Sequence, residues 1–218
     1  EDVLAGFRTA ETATAALQGI EGFPDGVVEG SANFHALLHA LRSRHQLSYL
    51  PSDRIRRGAA SDLPVLHNFI APLRERYFKN GRFQRAAAEQ STFQALQSFA
   101  IKAHPYQKLA ELSGGNMQKL ALARLFLEEN GAILLLCEPT WGLDIRATDA
   151  IHERIVEARD RGRAVLLLSS DVDEILELSD SIMVLHRGCI VFEGRNDGTL
   201  TRDRLGRYLL GIERADSA

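Results

Sequence analysis

Two short stretches hold residue types that could do phosphate chemistry. The first, Leu112–Lys119, reads Leu-Ser-Gly-Gly-Asn-Met-Gln-Lys and runs into a pattern with Leu120, Ala123 and Leu127 on one helical face. Paired glycines let a backbone approach a ligand where any side chain would obstruct it. A serine before them and a helix starting at once gather unpaired N–H groups and the positive end of the helix dipole at one point. Such a point binds anions, phosphate foremost. The plain alternative is an ordinary Ser-Gly-Gly turn leading into an N-capped helix, a common arrangement.

The second stretch, Ile133–Asp144, reads Ile-Leu-Leu-Leu-Cys-Glu-Pro-Thr-Trp-Gly-Leu-Asp. An apolar strand delivers Glu138 at its carboxyl end, where ligands of open α/β sheets bind. A carboxylate there can orient or deprotonate an attacking water. Pro139 stops the strand, and Gly142, Leu143 and Asp144 turn into the next helix.

The elements that must position these residues follow from periodicity. Apolar runs at Val3–Ala5, Leu47–Leu50, Ile133–Cys137, Val165–Leu168 and Ile182–Leu185 read as strands, with Ile190–Phe192 as a last hairpin partner. Ile145–Arg161 reads as a crossover helix with Ile151, Ile155 and Val156 on one stripe and Gly162 as its stop. Strands alternating with helices predict an α/β fold with a mainly parallel sheet. Residues Asp62–Ala110 carry helical patterns, clearest at Phe83–Ala100, and no convincing strand, which predicts a helical insertion. The expected domains are a core of residues 1–61 and 117–218, and a helical subdomain of residues 62–116.

Composition narrows the classes of function. Hydrophobic residues make up 45% of the 218 residues and charged residues 25%, an ordinary globular balance. A formal net charge of -3 argues against a basic surface for nucleic acid. Cys137 and Cys189 form no disulfide framework, which suits a reducing setting. No apolar run approaches the roughly 18 residues that span a bilayer, and the first residues lack the pattern of a signal peptide. Any membrane connection is expected to pass through a partner chain.

In order and spacing, the two stretches resemble the signature motif, Walker B strand and D-loop of ATP-binding cassette (ABC) ATPases. The resemblance covers nearly the whole chain. Leu168-Ser169-Ser170-Asp171 is similar to the switch region, Leu178–Leu185 with Arg187-Gly188 to the closing strands, and Tyr49–Arg54 to the Q-loop strand. Asn116 after the glycines is the form of the simple sugar and nucleoside importer branch, and Ile151–Ile175 leans toward its nucleoside importers. The resemblance implies a P-loop NTPase (RecA-like) core and a fused arrangement in which this sequence is the second, carboxy-terminal ATPase half. It also implies head-to-tail pairing, with ATP and Mg2+ held between one half's P-loop and the other's signature. Leu112, Ser113, Gly114, Gly115, Asn116 and Gln118 would then act on the sister half's nucleotide, with Gly142, Leu143 and Asp144 at the interface. The implied partners are that sister half, membrane permease subunits and, indirectly, a solute-binding protein, at the cytoplasmic face of the inner membrane.

The chain's own site departs from the pattern. A P-loop needs Gly-x-x-x-x-Gly-Lys-Ser/Thr to hold the β- and γ-phosphates. If Gly6 is the first glycine, Glu11 and Thr12 fall where the last glycine and the lysine belong. If Arg8 and Thr9 are the lysine pair, Phe7 fills a glycine position. The region is either degenerate or trimmed at its start. Cys137 replaces the magnesium aspartate, and a thiol is a poor ligand for a hard cation. Ser52 replaces the Q-loop glutamine and Ser170 the switch histidine. Glu138 is then a vestigial base, no metal is expected in this site, and the chain by itself is expected to be inactive. The competing readings are a regulatory pseudo-ATPase scaffold and a soluble, non-transport ABC ATPase. The latter needs basic surfaces or long coiled coils, which the sequence lacks.

Duller readings apply to other residues. Cys137 reads as a small buried hydrophobe. His35 and His39 lack a third ligand of fitting spacing, and with His45 they read as a solvated helix face. Arg54, Arg56 and Arg57 suit either contact with a permease or plain surface charge. Trp141 suits either the half-to-half interface, slightly preferred, or a cover for the core. Residues Arg214–Ala218 are expected to fray.

Overall fold

Five consecutive apolar residues have no polar face to offer solvent, so Ile133–Cys137 must be buried on both sides. In the computed structural model it is strand β5, buried throughout. The structure describes residues 4–8, 47–52, 59–128 and 132–213. The expectations on Thr9, Glu11, Thr12, the three histidines up to His45, the arginines Arg54 to Arg57 and the tail lie outside the described residues.

The described residues fall into two compact units: one within Glu1–Tyr49, Asn130–Glu138 and Ala150–Ala218, the other within Leu50–Glu129 and Pro139–Asp149. The expected limits at residues 62 and 116 both fall within the second unit.

The first unit carries a six-stranded sheet in the order β2-β5-β6-β1-β7-β8. Its strands are β1 (Leu4–Arg8), β2 (Leu47–Leu50), β5, β6 (Ala164–Ser169), β7 (Ser181–His186) and β8 (Cys189–Arg195). Strand β5 pairs parallel with β6, in the register Cys137 to Leu168. The connection between them is helix α5 (Ile145–Asp160), closed by Gly162 at φ 87°. Such a crossover is what parallel pairing requires. The α/β architecture with parallel strands is as expected, and the sheet also holds antiparallel pairs. Strand β1 is antiparallel to both β6 and β7, and β7 and β8 form an antiparallel hairpin. Strands β5, β6 and β7 therefore point one way, with β1 reversed between the last two.

That placement corrects the reading of Gly6 and Arg8. Both belong to β1, in register with Leu167 and Val165 of β6, so they are strand residues and not part of a phosphate loop. The expected strand Val3–Ala5 extends to Arg8, paired with β6 along Leu4–Arg8 and with β7 as far as Phe7.

The second unit is built on helices α1 (Val65–Ile70), α2 (Arg74–Tyr77), α3 (Arg85–Ser98) and α4 (Gly114–Phe126). Val65, Phe69, Leu96, Leu120 and Ala123 meet in one buried cluster. The segment is not wholly helical. Strands β3 (Phe78–Lys79) and β4 (Arg82–Phe83) form a small antiparallel hairpin. Its turn is Asn80-Gly81, with φ of 51° and 72°. Positive φ at both central residues is the type I′ requirement, and Asn-Gly is its strongest short signal, which the helical reading passed over. Among the described residues no helix is long and apolar enough to cross a membrane.

Candidate functional site: a glycine-led helix start and a strand-end carboxylate

Ser113 takes extended backbone at φ -65° and ψ 156° and caps α4, its Oγ accepting the Asn116 N–H at 3.4 Å. Met117 N–H then bonds the Ser113 carbonyl at 2.9 Å, so the helix begins at Gly114 as the sequence implies. The remaining first-turn amides keep the anion-binding geometry of a helix start. Lys102 N–H donates to Asn116 Oδ1 at 3.3 Å and ties the same turn to the preceding loop.

The two glycines are not demanded by packing among the described residues. A Cβ built on Gly114 meets nothing within 4 Å among the described residues. On Gly115 it meets Gly142 O at 3.5 Å and Leu143 Cδ2 at 3.9 Å, ordinary contacts. Neither has the positive φ that favours glycine. Alanine would suit a helix better at each position, by about 1 kcal/mol in a helix interior.

The Gly115 contacts also bring the two sequence stretches together within one unit. Gln118, only 2% exposed, donates its side-chain amide to the Pro139 carbonyl. Gln118 is thus a buried strut between the helix and the Pro139 turn, and Leu112, 7% exposed, is part of the core. Ser113 and Gly114 face solvent, with Gly115 and Asn116 half-buried. Gly142, at φ 78°, makes the turn that ends in Asp144. Asp144 is exposed, and its Oδ1 accepts the Ala147 N–H at 3.0 Å as cap of the following helix. Trp141 is 69% exposed and Ile145 81%, so Trp141 does not cover a core within its unit.

The strand-end site lies in the other unit. Cys137 is buried, packed with Leu47, Ile133, Leu135 and Ala164, as a small hydrophobe would be. Glu138 takes φ 48°, left-handed backbone that costs a non-glycine residue about 1 kcal/mol or more. Its N–H continues the ladder to Leu168 O at 2.7 Å, and its Oε1 accepts the Ser170 N–H at 2.9 Å. The carboxylate expected to face water is thus held by the switch position's own backbone. Ser170 is exposed, and Asp171 caps the next helix, α6 (Val172–Leu178), accepting from Asp173 and Glu174. Ser52 is exposed on a bend after β2. Among the described residues no group of His, Cys, Asp and Glu is placed to hold a metal ion.

One polar pair was not legible in the sequence. His152 on the crossover helix sets Nε2 against Glu174 Oε1 at 3.1 Å, and Glu174 is 3% exposed. The two residues sit on different helices, and no spacing rule links them.

No protein-family model matches the chain. It is 38% identical over 162 residues, 73% of its length, to a putative ribose/galactose/methyl galactoside import ATP-binding protein of Rhizobium johnstonii. It is 32% identical over 207 residues, 92% of its length, to a xylose import ATP-binding protein of Burkholderia ambifaria. A ribose import ATP-binding protein of Pseudomonas putida is 36% identical over 172 residues, 78% of the chain. The chain spans only 30%, 40% and 33% of these three proteins' own lengths. Among solved structures, a dimeric ATP-binding cassette in a post-hydrolysis state with ADP and Pi matches 75% of the chain and 68% of its own. That match has a TM-score of 0.62 at 23% identity and speaks for the fold. An ATP-binding subunit of an ABC transporter matches 80% of the chain and 72% of its own, with TM-score 0.61 at 22% identity. The fold is that of a P-loop NTPase, and the chain belongs to the ATP-binding cassette family.

Proposed function

We propose that this chain is the carboxy-terminal nucleotide-binding half of a sugar importer's ATPase. Its signature helix completes an ATP site on a sister half, while its own strand-end site turns over no nucleotide. The observation that carries this reading is the open space around Gly114, with no more than ordinary contacts at Gly115, among the described residues. Nothing among the described residues calls for two glycines there. A triphosphate brought up to the helix start by another half does, because bare amides then reach its γ-phosphate beside the exposed Ser113 hydroxyl.

The chain's own site supports the asymmetry. ABC ATPases use ATP with Mg2+, and the metal prefers oxygen ligands. Cys137 offers a buried thiol, Ser170 no imidazole, and the Glu138 carboxylate already accepts a backbone N–H. These residues do not fit the ion. Removing one preorganised electrostatic contact typically costs about 10²–10³ in rate, so the combined departures leave this site inert even without additivity. The import proteins among the relatives favour transport over a soluble ABC ATPase or a scaffold, and they favour a sugar over a nucleoside. The partners are then the sister half, fused upstream, and permease subunits, with a solute-binding protein reached through them. The chain lies on the cytoplasmic face of the inner membrane. Asp144 and Trp141 stand at the junction of the halves, and the expected helical subdomain of residues 62–116 moves with nucleotide closure.

Gly114→Leu tests the reading directly. The position is exposed and unobstructed, so the variant should melt no lower than the wild type. Turnover of the complete two-half protein should nonetheless fall about 10²-fold. Full turnover in that variant defeats the proposal.

A further inference from the structure

Helix α1 contains an internal mismatch that the signature helix resolves. In an α-helix the carbonyl of Asn68 would accept the N–H four residues on. That residue is Pro72, which has no N–H. The neighbouring Ala71 N–H is committed to His67 O. The donor comes instead from 56 residues away in sequence: Arg124 Nη1 on α4 reaches Asn68 O at 3.1 Å.

The side chain of the same asparagine is engaged elsewhere. Asn68 is 4% exposed. Its Oδ1 accepts the Ala60 N–H at 2.8 Å, and its Nδ2 donates toward Ala60 O at 2.9 Å, Pro64 O at 3.1 Å and Leu63 O at 3.2 Å. A buried amide is costly unless its hydrogen bonds are made, and once made they fix one geometry. Asn68 is therefore a junction. Its side chain holds the segment from Ala60 to Pro64, and its backbone holds the helix that starts with Ser113 and Gly114.

We propose that Asn68 and Arg124 are positioning residues for the signature helix. They transmit the placement of the Ala60–Pro64 segment to the helix start that meets the nucleotide. Phe69 and Leu120 share the buried core that holds the two helices together, but apolar burial is non-directional and does not by itself fix a register. The guanidinium, a planar fork whose Nη1 meets the Asn68 carbonyl, adds a directional contact that selects one register. Arg124 lies about three turns along α4 from Ser113, so a small rotation at its end displaces the amides at the other. This inference rests on the signature reading above.

The test uses the complete two-half protein with its permease and four variants. Arg124→Ala should lower ATP turnover about tenfold, within the range for residues that couple sites without touching ligand, and should also lower the melting temperature. Pro72→Ala supplies the missing N–H just beyond α1, where it can reach the Asn68 carbonyl. The double variant Arg124→Ala/Pro72→Ala should therefore regain the melting temperature while turnover stays low. If the double variant regains both, or if Arg124→Ala turns over at the wild-type rate, the positioning role is overturned and Arg124 only satisfies a carbonyl. Asn68→Ala keeps the carbonyl but loosens the segment, which then hangs on its backbone bonds from Leu109 and Ala110, and it should reproduce the turnover loss with ATP affinity unchanged. Unchanged turnover in Asn68→Ala also overturns the inference. Ser113→Arg in parallel separates the two claims. Full activity there means that the signature reading itself fails. Loss of activity there, with active Arg124 and Asn68 variants, means that only the junction fails.

Discussion

The starts of two helices, α4 after Ser113 and α6 after Asp171, have the same local chemistry and different surroundings. Ser113 Oγ accepts one first-turn N–H, and Asp171 Oδ1 accepts two. Behind Asp171 the helix opens with Val172, Asp173 and Glu174, whose carboxylates suit the positive end of the dipole and leave it no call for an outside anion. Behind Ser113 come Gly114 and Gly115, with no acidic residue in the first turn and, among the described residues, no neighbour within 4 Å of a Cβ at Gly114. A capped helix becomes an anion site only when its first turn stays uncharged and bare. The Asp171 start is completed by its own acidic residues, whereas the Ser113 start stays bare, as the proposed site for another half's phosphate requires.

The largest effect that could break this contrast is Ser113→Arg. In the complete protein it should abolish ATP turnover, a loss of about 10²-fold or more, measured as phosphate release. Residual activity near wild type would place the phosphates elsewhere. Next comes the frame beneath the helix. Phe69 is fully buried in the core that carries α4, so Phe69→Ala should cost about 3–5 kcal/mol in denaturant unfolding. A loss below about 1 kcal/mol would mean that the cavity collapses and that α4 is not held as described.

The caps themselves sharpen the comparison. Ser113→Ala and Asp171→Ala should each cost about 1 kcal/mol of stability, yet only the former should reduce turnover. Equal losses of turnover would erase the distinction between the two starts. The smallest effect is expected at Glu138→Gln, which keeps an oxygen for the Ser170 N–H and should change turnover by no more than about twofold, well under the cost of removing a working base. A collapse of activity in that variant would move the working site into this half.

Much of this was written in the chain. Ile133–Cys137 has no polar face, so burial on both sides followed from composition alone, and the helix after Asp144 ends where Gly162 permits left-handed backbone. The signature and strand-end motifs were legible because each is a contiguous run whose spacing is fixed by one element and one turn. Pairings between distant segments were not. Local sequence gives a strand's pattern but not its neighbours, so the reversal of Leu4–Arg8 between β6 and β7 was invisible, as was its removal of Gly6 and Arg8 from any loop. The same holds for the Glu138 oxygen on Ser170, the Gln118 amide under Pro139 and the Arg124 reach to Asn68. Hydrogen bonds between side chains and distant backbone depend on where whole elements come to rest, and packing decides that after periodicity has finished its work.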